Sequence, residues 1–165
     1  MKSIQAIAAK ILSSEALKRQ AAVWRLQNKT IVFTNGVFDI LHQGHFASLC
    51  EAASFGHVLV VGLNSDASVK RLKGETRPVN DENARALLLA GFLMTDVVVI
   101  FEEDTPLTLI KLLMPDVLVK GGDYSVDQIA GAKEVIAAGG QVKIAAIIEG
   151  ISTTVIIDKM RQVRD

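Results

Sequence analysis

The chain has 165 residues, of which half are hydrophobic and 22% are charged, so it is neither disordered nor too short to bury a core. We expect one globular domain. Lys and Arg together number 18, as do Asp and Glu together, so there is no basic excess that would indicate nucleic acid or an anionic membrane as a partner. Any phosphate ligand therefore needs a local cluster of binding residues.

The sequence pattern predicts an N-terminal helical extension at residues 1–29. Ser13 or Ser14 can cap a helix that runs to about Leu26. We expect this helix to pack on the main domain or on a second copy of the chain, so a homodimer is possible. The apolar segment 4–12 is interrupted by a lysine, and we expect no signal sequence.

The single cysteine, Cys50, permits no intramolecular disulfide and favours a reducing, cytoplasmic compartment. Its neighbours have a helix-interior pattern, so we expect a packed small side chain rather than a nucleophile. No apolar run approaches the length that crosses a bilayer, and we expect no membrane contact.

From residue 30 onwards, strand and helix patterns alternate. Continuous Val, Ile and Leu runs predict strands at 30–34, 58–63, 97–100, 117–119 and 142–147. Helical patterns lie at about 44–55, 83–94, 105–113, 127–138 and 152–163. Strands of this kind are typical of a sheet that is buried on both faces. The sequence therefore predicts an α/β domain over 30–165, a Rossmann-like, doubly wound, five-stranded parallel sheet with helices on both faces.

The turn after the first predicted strand contains two of the three histidines in the chain. His42 and His45 are three residues apart at a helix entrance, so their rings point the same way. Helix entrances attract phosphate through unpaired N–H groups and the dipole, and Gly44 allows close backbone approach. Two ordinary surface histidines are the alternative, but their concentration in this turn favours a phosphate site.

Three further strand ends carry candidate ligand-binding segments. Four basic residues at 70–77 could be a solvated surface, but their position favours a phosphate clamp, with Lys73 as the best candidate. The segment Lys120 to Asp123 could bring backbone close to a base or a phosphate, although a plain turn would also explain its glycines. Ser152 can cap the last helix, and the hydroxyl groups around it could bind polyphosphate. Because the carboxyl ends of parallel strands meet at one edge, we expect these segments to converge on one crevice.

The segment 36–45 resembles the G-x-F-D and HxGH signature of the nucleotidyltransferase superfamily that includes the cytidylyltransferases. The segment Gly-Ile-Ser-Thr-Thr at 150–154 is similar to its second signature. Finer matches at 34–42, 64–68, 71–80 and 119–124 resemble the heptose 1-phosphate adenylyltransferases, which make ADP-heptose for lipopolysaccharide or other surface glycans. Those enzymes occur alone or fused behind a sugar kinase, and this chain resembles the stand-alone form.

The resemblance implies in-line attack of a sugar 1-phosphate oxygen on the α-phosphorus of ATP, with release of pyrophosphate and no covalent intermediate. Mg²⁺ is expected with ATP, although the sequence shows no carboxylate cluster that would bind it independently. The implied catalytic residues are His42, His45 and Lys73. The implied nucleotide-binding residues are Thr34, Asn35, Gly36, Phe38, Asp39, His42, His45, Lys120, Gly121, Asp123, Gly150, Ser152, Thr153 and Thr154. The implied substrate-binding residues are Asp66, Lys73, Arg77 and Arg85.

Two alternatives stay open. Glycerol-3-phosphate cytidylyltransferases share both signatures but usually place an arginine where this chain has Ile147, so we expect ATP to be preferred over CTP. His57 is a second departure, since the adenylyltransferases often carry Asp there, and we expect it to be structural.

The other alternative is a non-catalytic nucleotide-binding subunit that regulates a partner through the N-terminal helix. The intact histidines and Lys73 argue against it.

Overall fold

The computed structural model describes residues 3–122, 125–146 and 150–163. Its strands are β1 (Ile31–Gly36), β2 (Val58–Asn64), β3 (Val97–Phe101), β4 (Val117–Gly121) and β5 (Gln141–Ala145). They form one parallel sheet in the order β3-β2-β1-β4-β5. The strand order therefore reverses between β1 and β4, which is where ligands bind in open α/β sheets.

The helices cover both faces of this sheet. They are α1 (Ile4–Ala8), α2 (Ser14–Leu26), α3 (Gln43–Ala53), α4 (Asp66–Lys73), α5 (Glu82–Gly91), α6 (Leu107–Leu113), α7 (Ala132–Ala137) and α8 (Thr153–Gln162), with a 3₁₀ turn at Val126–Gln128. One apolar cluster joins the sheet to buried side chains of α2, α6 and α7, and another joins it to those of α3 and α5. The predicted Rossmann-like sheet with helices on both faces is confirmed.

Successive side chains of β1, β2, β3 and β4 enter these two clusters in turn, whereas most residues of the edge strand β5 are not buried. In β1, Ile31 and Phe33 are buried in the first cluster, while Val32 between them is buried in the second. Because both faces of the sheet exclude water, every position of a central strand favours an apolar side chain. This is why the strands are continuous apolar runs in the sequence.

The N-terminal extension packs on the α/β domain, which is one of the two arrangements that the sequence left open. Ser13 caps α2, its hydroxyl oxygen accepting a hydrogen bond at 3.2 Å from the amide of the third helical residue. Leu17 and Trp24 of α2 are buried with residues of α6. Just before the helix, the Leu12 amide donates to the Val98 carbonyl at 2.9 Å, against the edge strand β3. The homodimer stays a prediction.

Two helical segments differ from the sequence prediction. α4 was not predicted because 66–73 is polar, although Ser65 caps it and Gly74, with φ 95°, follows it. These are the ordinary start and stop signals of a helix. The helix predicted at 127–138 is shorter, because Gly131 at φ 86° separates the 3₁₀ turn from α7.

Smaller differences concern element ends and one side chain. The helix predicted at 83–94 ends at Gly91, since the next residue is extended. The strand predicted at 142–147 ends at Ala145, and its last predicted position lies outside the described residues. Cys50 is exposed on α3, so the prediction of a packed thiol was wrong. None of the described helices is both long and apolar enough to span a membrane.

Candidate active site

A cavity of about 430 Å³ opens at the carboxyl end of the sheet. The first turns of α3 and α8 both line it, so two positive dipole ends lie at the same space. The predicted residues that line it are Phe38, Asp39, His42, His45, Lys73, Arg77, Gly121, Ser152, Thr153 and Thr154. They follow four different strands, as the convergence of parallel strand ends requires.

A second cavity, of about 370 Å³, shares Val37 and Lys73 with the first. Both volumes are in the range of about 300–1,000 Å³ that is usual for small-molecule sites. The predicted residues Asn35, Gly36 and Lys120 line this second cavity. Asn64, Asp104 and Gln128 line it too, and sequence reasoning did not select them. Lys73 therefore stands at a boundary between two ligand-sized spaces.

Two predicted nucleotide-binding residues, Thr34 and Gly150, lie outside these two cavities. Thr34 is buried within β1, where its side chain belongs to the sheet. Gly150 precedes α8 with φ 77°, a conformation that glycine adopts without strain. Among the described residues, neither is a lining residue of the two cavities. Asp123 lies outside the described residues.

His42 is the N-cap residue of α3. Its Nδ1 accepts hydrogen bonds from the amides of Gly44 at 3.1 Å and His45 at 3.4 Å. An imidazole nitrogen that accepts must lack a proton, so the proton of neutral His42 belongs on Nε2. The cap thus selects the tautomer and leaves Nε2–H as the group that can donate to a ligand.

His45 stacks on His42, with ring centroids 3.8 Å apart and an interplanar angle of 20°. The Phe38 ring meets His45 edge-on at 5.1 Å. Burial, and then repulsion from His42, lowers the pKa of His45 to about 4, and burial also lowers the pKa of His42. Both rings are therefore neutral donors at pH 7. Within the described residues, His45 Nδ1 is buried and has no hydrogen-bond partner.

Asp39 lines the first cavity, but its carboxylate is engaged inside the protein. It accepts hydrogen bonds from Arg77 Nε at 2.6 Å and from the amides of Val79 at 2.8 Å and Asn80 at 3.0 Å. Burial alone would raise the pKa of Asp39, but the bonds from Asn80, Val79 and Arg77 hold it below its usual range. Asp39 thus fixes the segment 77–80, while its direct contact with a nucleotide stays a prediction.

Arg85 is fully buried below the cleft rather than exposed in it. Its guanidinium donates to the carbonyls of Asn80 at 3.0 Å, Val37 at 2.7 Å and Asn64 at 2.9 Å. It also pairs with the Asp66 carboxylate at 2.7 Å. The structure thus pairs Arg85 with Asp66, and the predicted substrate contacts of both residues stay predictions.

The basic segment after β2 divides into residues with different environments. Arg71 pairs with Asp104 at 2.7 Å, and Arg77 pairs with Asp39. Lys73, the last residue of α4, is exposed and lines both cavities. Of the charges in this segment, Lys73 is therefore the one best placed to meet two ligands at once.

The ends of β4 and β5 complete the cavities. Lys120 Nζ donates to Asn35 Oδ1 at 3.3 Å, and burial lowers the pKa of Lys120. Ser152 caps α8 by accepting from the Val155 amide at 3.2 Å. A Cβ at Gly121 would lie 3.2 Å from the Ser48 hydroxyl, a tight contact that glycine avoids.

Sequence reasoning missed Ser48, which also lines the first cavity. The available signal was its helical spacing, because it follows His45 by three residues on α3 and so shares its face. His57, by contrast, is structural as predicted. Its Nδ1 accepts from the Thr30 amide at 3.0 Å, at the start of β2.

Comparison with known proteins agrees with this geometry. A family model described as Cytidylyltransferase-like matches residues 33–159. Bifunctional protein HldE of Mesorhizobium japonicum is 52% identical over 151 residues, which cover 92% of this chain and 30% of that protein. Bifunctional protein HldE of Koribacter versatilis is 50% identical over 157 residues, covering 95% of this chain and 32% of that protein. The chain thus spans about a third of the length of these curated relatives.

Two solved structures share the fold. The lipopolysaccharide core biosynthesis protein from Thermoplasma volcanium is 31% identical with a TM-score of 0.58, covering 73% of this chain and 97% of that chain. Pantoate-beta-alanine ligase from Francisella tularensis has a TM-score of 0.59 over 94% of this chain and 79% of that chain. Its identity is 15%, so it supports the fold alone.

Proposed function

We propose that this chain, which belongs to the cytidylyltransferase-like family, is an adenylyltransferase. It would transfer AMP from ATP to a sugar 1-phosphate. The observation that carries the proposal is the first cavity, where a stacked pair of neutral histidines and the first turns of two helices face one space. Such a site suits a polyphosphate, whose oxygens accept from many N–H groups.

The resemblance of the sequence to the heptose 1-phosphate adenylyltransferases supports a heptose 1-phosphate as the acceptor. Relatives named HldE are about half identical to this chain over nearly all of its length. The Thermoplasma volcanium relative is named for lipopolysaccharide core biosynthesis. We propose that the product is ADP-heptose for a surface glycan such as lipopolysaccharide. The stand-alone form and the cytoplasmic location stay predictions.

We assign the ATP phosphates to the first cavity. His42 would donate from Nε2, and His45 would supply a second neutral donor from the same helix entrance. The first turn of α8, with Thr153 and Thr154, would hold the far end of the triphosphate. Neutral donors fix the position of an anion without changing the charge of the complex, so the charge compensation falls to nearby cations.

We assign the sugar phosphate to the second cavity. Lys120 supplies a partly buried cation there, while Asn35 and Gln128 supply amides that can bind hydroxyl groups. Asp104 adds a carboxylate acceptor for sugar hydroxyls, held by its ion pair with Arg71. These few polar groups among apolar lining residues can orient the hydroxyl groups of a polyol.

The two assignments place Lys73 beside both reactants. An oxygen of the acceptor phosphate would form the new bond to the α-phosphorus of ATP, while the bond from that phosphorus to the bridging oxygen breaks and pyrophosphate leaves. Lys73 would stabilise charge on the transferring group, so catalysis is positioning and electrostatic stabilisation. No covalent nucleophile is required.

Mg²⁺ is proposed as a partner of ATP. Among the described residues, no group of three or more His, Cys, Asp or Glu side chains could hold a metal ion. The triphosphate oxygens would therefore supply most ligands, as is common for Mg²⁺. The metal would neutralise phosphate charge in the first cavity, beside the two histidines.

The test is product formation from ATP or CTP with D-glycero-D-manno-heptose 1-phosphate, glucose 1-phosphate and glycerol 3-phosphate. Mass spectrometry identifies the nucleotide product, and pyrophosphate release gives the rate. We expect ADP-heptose as the main product, with ATP preferred over CTP. Efficient CDP-glycerol formation would instead establish the cytidylyltransferase alternative. Nucleotide binding without any product would favour the regulatory subunit.

A further inference from the structure

Arg85 connects four segments around the cleft from a buried position. Its guanidinium binds main-chain oxygens after β1, at the end of β2 and before α5, and it pairs with Asp66. A buried guanidinium is retained only where its hydrogen bonds compensate for lost hydration. Its partners here are mainly carbonyls of cleft-forming loops, so the energy of those bonds fixes backbone positions.

The loop that these bonds fix contains a strained residue, Phe38. Its φ is 46°, which a bulky side chain rarely adopts. The residue before it, Val37, is held through its carbonyl by Arg85 at 2.7 Å. The residue after it, Asp39, is held by the segment 77–80, whose Asn80 carbonyl is bound by the same guanidinium at 3.0 Å. Arg85 thus restrains both neighbours of Phe38, as a strained conformation requires.

The ring of Phe38 in turn packs against His45. Within the described residues, Nδ1 of His45 has no hydrogen-bond partner, so that nitrogen does not orient the imidazole. The ring is held by packing between the stacked His42 ring and the edge of Phe38. Rotation of Phe38 would therefore remove one of the two ring contacts that hold His45.

We propose that Arg85 is a positioning residue that orients His45 through Phe38. It keeps the Phe38 turn in its left-handed conformation, and this turn holds the imidazole at the helix entrance. The inference rests on the proposed function for its catalytic consequence, whereas the structural linkage can be measured without substrate. Arg85 does not touch ATP or the acceptor in this assignment.

The test compares Arg85→Lys, Arg85→Gln and Phe38→Leu with Leu113→Ala, which removes a buried side chain from the core on the other side of the sheet. The structural readout is the set of NMR cross-peaks between the Phe38 and His45 rings in ligand-free protein. We expect Arg85→Lys to lose or weaken these cross-peaks while Leu113→Ala keeps them. Phe38→Leu lacks the Phe38 ring, so its readout is the chemical shifts of the His45 ring. These should move towards the values measured in Arg85→Lys.

The kinetic readout is the division of the effect between kcat and KM. A small displacement of a donor can cost about 10–100-fold in rate, so we expect that loss in kcat, with KM for ATP changed less than about threefold. Phe38→Leu should reproduce the kcat loss although it leaves Arg85 intact. If Arg85→Gln does not fold, Arg85→Lys and Phe38→Leu still decide the question.

Unchanged Phe38–His45 cross-peaks in a folded Arg85→Lys variant would overturn the linkage, whatever its activity. Equal kcat losses in Leu113→Ala and Arg85→Lys, at equal loss of stability, would reduce Arg85 to a general structural role. If the wild-type protein forms no nucleotide product, the proposed function fails, while the ring cross-peaks still test whether Arg85 orients His45.

Discussion

Acidification should leave His45 uncharged far below the pH at which an ordinary histidine gains its proton. Burial and the neighbouring His42 ring lower its pKa from 6.5 to about 4. At pH 5.5, about 3% of His45 rings would then carry a proton, against about 90% for a histidine of pKa 6.5. The cleft should therefore keep a neutral donor at this position throughout the usual assay range.

The same shift makes the stability of the fold depend on pH. The unfolded chain accepts the proton near pH 6.5, whereas folded His45 resists it down to about pH 4. The contribution of His45 to the free energy of unfolding is thus fully present above about pH 6.5, and it is lost as the pH falls from there towards 4. The shift corresponds to about 3 kcal/mol, which partial exposure of the ring to solvent reduces to roughly 1–2 kcal/mol.

The assay has two parts. Proton–carbon NMR of the His45 ring, followed from pH 7.5 to 4, gives the titration midpoint directly, with the His45→Gln spectrum providing the assignment. Urea unfolding at pH 7.5 and pH 5 gives the stability change, and His45→Gln should show a smaller change than wild type. A midpoint near 6.5 would refute the reasoning, as would an identical pH dependence of unfolding in the two proteins.

Three further predictions concern single side chains. His45→Ala should lower kcat by about 10²–10³-fold in a folded protein, since it removes one preorganised donor, and activity within a few-fold of wild type would remove His45 from the mechanism. Lys73→Ala should lower kcat/KM for both substrates while changing stability by less than about 0.5 kcal/mol, and Lys73→Arg should rescue poorly. The matched control Lys70→Ala, on the exposed side of the same helix, should be nearly silent, and equal small effects at both lysines would contradict the bridging role. Trp24→Ala should destabilise the protein by about 3–5 kcal/mol in urea unfolding, because the extension shares the core, and a loss under 1 kcal/mol would contradict that packing.

The sheet and the position of the cleft could be predicted from the sequence because their signals are local. The strands β2 and β3 are continuous apolar runs, and a strand buried on both faces needs one. The histidine turn was equally visible, since His42 caps the helix that it begins, using atoms two and three residues away. Interactions over such short separations are present in the sequence pattern itself.

The roles of the charged residues were decided only by the tertiary structure. Asp39, Arg77 and Arg85 resemble ligand-binding residues in the sequence, yet Asp39 binds Arg77 from 38 positions away, and Arg85 binds the Val37 carbonyl from 48 positions away. Lys73 lines both cavities, whereas its neighbours Arg71 and Arg77 pair with carboxylates on other segments. Whether a charge meets solvent, a ligand or an internal partner depends on which distant segments fold against it, and no local pattern contains that information.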